Sequence, residues 1–409
     1  MTGGEAPRVA FCRGWRLALL RGRFLFACAR YLCRPRRYPL FTLGAREGGV
    51  LHALRQIRRF RIPKPVRFEG TYRVSIAMPR WPSRAFDDMV ARGGLNLEAA
   101  GSPRRAHVDF VILAITRRCG YSCAHCYERD NIAARESVPL PAWRAAVEDL
   151  QKIGAGVIVL SGGEPMLRYA DLLDLVRGAD KDRSELHLNT SGWGVTSQAA
   201  RELKAAGLSA AGIGVDDADP ECHDAIRGFP GAHAQALRAA ALFREAGVFP
   251  YFNVCLRPDL VRSGRLWSLL EMGRRAGVGI LRLLEPKPIG GFLGRQPAEL
   301  FSASDRAIAE QFLLEANSSR RYAGHPLIAY PGWDEAPERL GCWLGGLGHF
   351  AIDSRGNVNP CVFLAMPFGN ITKERLIDVY ARMRAAFPRP LRSGCPANGS
   401  TPIRLTVSA

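Results

Sequence analysis

Three cysteines, Cys119, Cys123 and Cys126, stand at spacings of four and three residues just after an apolar run at 107–116. Soft thiolates suit iron, and a short turn can gather such side chains at the corners of a cubane iron–sulfur cluster. Three thiolates leave one iron of a [4Fe-4S] cluster open. An open position can hold a substrate or cofactor instead of only passing electrons. Zinc is a second reading of the same motif, with His125 as the fourth ligand. A second group, Gly162, Gly163, Glu164 and Pro165, follows the next apolar run at 157–161. Glycines there let a ligand approach the backbone, and Glu164 can face an ammonium group.

The elements that must carry these residues repeat one unit. Strand-like runs at 107–116, 157–161, 185–190, 211–215, 248–256 and 280–284 alternate with helix-like stretches such as 141–153, 169–178, 196–206, 233–246 and 265–276. Runs such as Val157-Ile158-Val159-Leu160 are apolar without alternation, as parallel strands covered on both faces should be. Right-handed crossovers then curl the sheet, and six units give an α/β fold with a partial (β/α)6 barrel. Both motifs fall in loops just after strands, the face where barrel enzymes keep their chemistry.

With these motifs in place the chain resembles the radical S-adenosylmethionine (SAM) superfamily. The likeness rests on Cys119, Cys123 and Cys126 and on Ser161-Gly162-Gly163-Glu164-Pro165. It implies that SAM chelates the open iron and that reductive cleavage of its C5′–S bond yields a 5′-deoxyadenosyl radical, which takes hydrogen from a substrate. It further implies cofactor contacts, each weighed against a capping, turn or core-polar role. His125 takes a place whose backbone lies near the adenine. Thr190 and Ser191 match a segment near the ribose or methionine. Gly214 stands where many relatives have serine, Arg227 can reach the SAM carboxylate, and Asn253 is a further candidate. A reductase, or a flavodoxin or ferredoxin, is the electron donor the resemblance implies.

After Pro331-Gly332 the sequence has Cys342, then Gly356, then Cys361, and later Cys395. This resembles the start of the SPASM and Twitch extensions, small cysteine-containing α+β units that carry auxiliary iron–sulfur clusters. Asp353-Ser354-Arg355-Gly356-Asn357 reads as a hairpin turn that could bring Cys342 and Cys361 together. Cys395 is the third thiolate, and no fourth ligand is evident. The further cysteine run of a full SPASM pattern is absent, so one auxiliary cluster is the most that fits. Packed or free cysteines are the competing reading, which Cys222 and Cys255 receive outright.

The first 65 residues carry fifteen Lys plus Arg against two Asp plus Glu, so thirteen of the nineteen net positive charges lie there. Arg16, Arg23, Arg30 and Arg37 recur every seven residues, and Phe11, Trp15, Ala18, Leu25, Ala29 and Leu32 would share another face of one amphipathic helix. Such a helix could lie on an anionic membrane surface or pack on the barrel. Nucleic acid is a weaker partner, because no base-stacking motif accompanies the charge. Residues 71–78 alternate like a strand before the Pro79-Arg80-Trp81-Pro82 break, and no function attaches to 66–105.

The chain is therefore expected to comprise a basic extension (1–105), a partial barrel (106–330) and an auxiliary-cluster extension (331–409). Apolar residues make up 47% of the 409, enough for a sizeable core. Eleven irregularly spaced cysteines without a signal-peptide pattern argue for the cytoplasm, with the membrane's inner face as a peripheral location. The favoured function is a radical SAM oxidoreductase or transferase, with a membrane-associated lipid or isoprenoid as substrate. A peptide or protein maturase is the alternative, and a non-catalytic iron–sulfur protein the alternative of another class.

Overall fold

A computed structural model describes residues 7–12, 17–20, 22–23, 64–94 and 106–398. Six parallel strands form its centre: β4 (Val108–Thr116), β5 (Ala155–Gly162), β6 (Glu185–Thr190), β7 (Leu208–Gly214), β8 (Phe249–Cys255) and β9 (Ile280–Leu284). They neighbour one another in chain order and are joined by helices on one face, the arrangement of a partial barrel. The outward side chains, Val111, Leu113, Ile158, Leu160, Leu186, Leu188 and Phe252 among them, bury against those helices and make the main core.

The crossover helices start and stop where local chemistry requires. Thr196 caps Ser197–Ala206 by accepting from the Ala199 N–H, and Gly207, in the left-handed region, ends it. Asp219 caps Pro220–Arg227 with two backbone N–H groups, and Gly228 closes it in the same way.

The sheet extends past six strands at both edges. The short strand β10 (Leu327–Ala329) adds in parallel beside β9, and β11 (His349–Ile352) adds in parallel beside β4. Then β12 (Val358–Asn359) turns back against β11 as the hairpin expected around residues 353–357. The C-terminal extension was expected as a separate unit, yet its hairpin is hydrogen-bonded to the first barrel strand. The free edge of β4 demanded a partner, and His349–Ile352 supplies it.

The N-terminal region differs from expectation. Phe11, assigned to a helix, lies in strand β1 (Ala10–Phe11), which pairs with β2 (Val66–Phe68); β2 in turn pairs with β3 (Thr71–Arg73). The strand expected over 71–78 stops at Arg73, because Trp81 folds back to exchange two hydrogen bonds with Tyr72. Val66, Phe68 and Ile76 pack with Phe249, Tyr251 and Ile280, so the small sheet covers the barrel floor. There Arg73 and Arg80 both pair with the buried Glu185, each at 2.8 Å. Residues 17–20 and 22–23 are helical. Of the arginine stripe, Arg23 lies over the Trp81 ring at 6.0 Å, while Arg16, Arg30 and Arg37 fall outside the described residues. Among the described residues no helix is long and apolar enough to cross a membrane.

Candidate functional site

The three cysteines occupy one loop beyond β4, and backbone contacts fix it from three sides. Ser122 N–H donates to the Arg227 carbonyl at 3.2 Å and Ala124 N–H to that of Ile226 at 2.9 Å. Gly291 N–H donates to the Cys126 carbonyl at 2.8 Å, and Glu164 N–H to that of Arg118 at 2.7 Å. Close approach explains the glycines here: a Cβ on Gly163 would stand 2.2 Å from the Arg118 carbonyl oxygen, and one on Gly290 would stand 2.2 Å from that of Cys126. Burial pushes all three thiols up, Cys126 to about 12 with Cys123 adding to it. Metal binding must therefore expel protons.

The zinc reading loses ground on geometry. Among the described residues, the single group of metal-binding side chains whose donor atoms all lie within 4.8 Å is Glu335, Cys342 and His349. His125, the fourth ligand of that reading, directs Nε2 to Asp216 Oδ2 at 2.7 Å.

Glu164, Thr190 and Ser191 form one hydrogen-bonded unit. The carboxylate accepts from Thr190 Oγ1 at 2.8 Å, Met166 N–H at 3.1 Å, Ser191 N–H at 2.8 Å and Ser191 Oγ at 2.5 Å. A carboxylate has about four acceptor sites, so this one is saturated by its own chain. Glu164, expected to face an ammonium, ties the end of β5 to the end of β6 and takes hydrogen bonds from the hydroxyls of Thr190 and Ser191. Burial raises the Glu164 pKa against the pull of these donors. Pro165, buried, opens the short helical turn Pro165–Arg168 that Glu164 caps.

Sequence reasoning missed Asp216, which organises the next strand end. It accepts from His125 and from the Cys255 N–H at 3.0 Å and pairs with Arg227 Nε at 2.8 Å. Burial would raise its pKa, but Arg227 and His125 hold it far below the carboxylate range. The two consecutive aspartates after β7, Asp216 and Asp217, were the available signal. Gly214 has no side chain for a specific reason: a Cβ would lie 2.4 Å from an Arg227 guanidinium nitrogen, so the arginine occupies the space a serine would need. Arg227 is thus seated over Gly214 and beside Cys123.

Deeper in the barrel, Asn253 Nδ2 and the Tyr251 hydroxyl both donate to Asn189 Oδ1, at 3.1 and 3.2 Å. Asn253 Oδ1 is buried without a partner, an acceptor waiting for a donor. Three thiols on one loop, bare glycines beside them and this orphan acceptor fit a cubane cluster with SAM. Cys119, Cys123 and Cys126 could hold the cluster, with the backbone of Gly162 and Gly163, Arg227 and Asn253 around the cofactor.

A second thiol site lies beside β11. Cys342 exchanges two backbone hydrogen bonds with Leu391, four positions before Cys395, and Gly345 N–H donates to the Pro360 carbonyl next to Cys361. The three cysteines expected for an auxiliary cluster are thereby gathered, and each thiol's field reaches the others. Glu335 and His349 place an oxygen and a nitrogen donor beside Cys342 and could supply the missing fourth ligand. Cys222 and Cys255 lie apart from this group: Cys222 Sγ meets Arg265, and the Cys255 N–H meets Asp216.

Comparisons with known proteins match both stretches that carry these cysteines. The radical SAM superfamily matches residues 113–262, and the SPASM iron–sulfur cluster-binding domain matches residues 342–396. The AdoMet-dependent heme synthase of Oleidesulfovibrio alaskensis is 28% identical over 314 residues, covering 71% of this chain and 79% of that protein. The PqqA peptide cyclase of Streptomyces rochei is 27% identical over 283 residues, covering 67% and 76%. In fold the chain resembles Streptococcus suis SuiB bound to S-adenosylmethionine, with a TM-score of 0.56 at 15% identity over 72% of this chain and 74% of that one. Such domains carry a [4Fe-4S] cluster with SAM and auxiliary iron–sulfur centres, need a reductant, and are enzymes. The chain belongs to the radical SAM superfamily, as an enzyme with a SPASM-type C-terminal extension.

Proposed function

We propose that this enzyme holds its [4Fe-4S] cluster on Cys119, Cys123 and Cys126 and an auxiliary cluster on Cys342, Cys361 and Cys395, and oxidatively modifies a side chain carried on a tetrapyrrole or a peptide. The observation that carries the reading is the cysteine loop held between the Gly163 turn, the Pro220–Arg227 helix and Gly290-Gly291, with a second thiol site across the same sheet. When bound, the primary cluster with SAM supplies hydrogen-atom abstraction and the auxiliary cluster an electron acceptor. The chain's own part is positioning. Asp216 fixes both His125 and Arg227 at the rim, the Glu164 unit holds the loops rigid, and Asn253 Oδ1 offers an acceptor inside. The names of relatives covering two thirds or more of the chain, heme synthase and peptide cyclase, support these substrates over a lipid.

The test is mass spectrometry of products from anaerobically reconstituted, dithionite-reduced enzyme given SAM and separate tetrapyrrole, peptide and lipid pools. A mass change coupled to 5′-deoxyadenosine is expected in the tetrapyrrole or peptide pool. A product confined to the lipid pool would overturn the reading.

A further inference from the structure

The interior of β9 carries a cation in a place that sequence reasoning passed over. Ile280-Leu281-Arg282-Leu283-Leu284 is an apolar strand with one charge at its centre. Arg282 pairs in register with Asn253 of β8, and side chains of registered residues on parallel strands share a face. Asn253 reaches across Gly212 to Asn189, so that face is the barrel interior. The guanidinium carbon of Arg282 lies 5.4 Å from the ring centre of Phe110, itself packed with the inward Ile112 and Val159. Among the described residues no hydrogen bond or ion pair engages this guanidinium. A guanidinium carries five N–H donors, and here the described residues meet none of them, so they are left to the barrel interior.

Its surroundings locate it between the two thiol sites. The charges and dipoles that act on it are those of Tyr251, of Glu335 beside Cys342, and of Tyr127, which follows Cys126. Phe110, under the guanidinium, stacks in turn on His349 at 5.3 Å, beside Cys342 and Glu335. No carboxylate of the described residues stands within ion-pair distance of Arg282, and Glu335 pairs with His349 instead. SAM has a carboxylate, but the Glu164 unit, Gly214 and Arg227 lie at the ends of β5, β6 and β7, whereas Arg282 lies on β9 toward the auxiliary site.

Resting on the reading that this is a radical SAM–SPASM enzyme, we infer that Arg282 is the substrate-binding residue for a carboxylate, so that the substrate presents an anionic side chain to the barrel between the two cluster sites. A planar guanidinium pairs with a carboxylate through two parallel hydrogen bonds, and the low-dielectric interior strengthens them. Tetrapyrroles and acidic peptides both carry such groups, and separate probes distinguish the two sources.

The test is equilibrium binding to the anaerobically reconstituted full chain in the presence of SAM, read by tryptophan fluorescence. One arm uses coproporphyrin III against its tetramethyl ester. The other uses a glutamate-containing peptide against its glutamine counterpart. In one arm the acid should bind about tenfold or more tighter than its neutral analogue, and Arg282→Gln should abolish that preference while Arg282→Lys keeps part of it. Iron content and circular dichroism establish that the variants are loaded and folded. Neither acid being preferred, or a preference retained in Arg282→Gln, would overturn the inference. So would a fall in SAM affinity of Arg282→Gln matching its loss of probe binding, which would assign the guanidinium to the cofactor. Wild-type enzyme that makes no 5′-deoxyadenosine from SAM would instead sink the function on which the inference rests, so the two failures are distinguishable.

Discussion

Asp216 shows how much one carboxylate can organise. With a side chain about 1% exposed, it meets an imidazole, a guanidinium and a backbone N–H at once. Removing one partner of a buried ion pair costs about 3–5 kcal/mol, mainly through the charge left unpaired. Asp216→Ala should therefore lower unfolding free energy by that order. It should also release Arg227 beside Cys123, so the primary cluster should be lost more readily. Urea unfolding and iron analysis after anaerobic reconstitution measure both effects. A variant with wild-type stability and iron content would show that Asp216 has no such role. Its importance was hard to read in the sequence, because an Asp after a strand is also an ordinary helix-capping residue, the part Asp219 plays three positions later.

At the scale of elements, the cluster loop depends on close backbone approach. Gly163→Ala would drive a methyl group into the Arg118 carbonyl, and the Cβ of Cys119 is 3.1 Å from the same point. The loop must move, so about four irons should be lost while far-ultraviolet circular dichroism stays unchanged. Full iron content in Gly163→Ala would contradict this account of the glycine. The barrel strands were legible because each is an apolar run between turn signals: 185–190 and 280–284 match to the residue, and the rest differ only at their ends. Strand β11 was not, since His349–Ile352 is short and its partner β4 lies more than two hundred residues earlier in the chain. Phe11 was misplaced for a similar reason: its arginine-rich surroundings suggest helical periodicity, while its pairing with Val66 is distant. At the site, cysteine and glycine spacing marked the loop, but which hydroxyl met which carboxylate depended on packing between separate strands.

The molecule as a whole buries titratable groups that tie its stability to pH. His187 and His223 are buried, and burial lowers both from 6.5 to about 4. His223 Nδ1 accepts the Asp216 N–H at 3.1 Å, a bond that needs that nitrogen unprotonated. Because the unfolded chain binds more protons between these values, stability is complete above about 6.5 and falls as pH drops toward 4. Each histidine can contribute at most about 3.5 kcal/mol, since one pKa unit is worth about 1.4 kcal/mol. Glu185, held well below the carboxylate range by Arg73 against its burial, extends the loss to lower pH. Urea midpoints of the metal-free chain should hold between pH 7.5 and about 6.5 and then fall toward pH 4.5, and a flat profile would contradict the burial described here.

The central claim is that three thiolates hold an open-iron cluster on which SAM is cleaved. Its most direct test is 5′-deoxyadenosine formed under dithionite by the reconstituted chain and by Cys119→Ala, Cys123→Ala and Cys126→Ala. The wild-type chain should produce it, and each variant should produce none while remaining folded by circular dichroism. Continued formation in any one of the three variants would contradict the account.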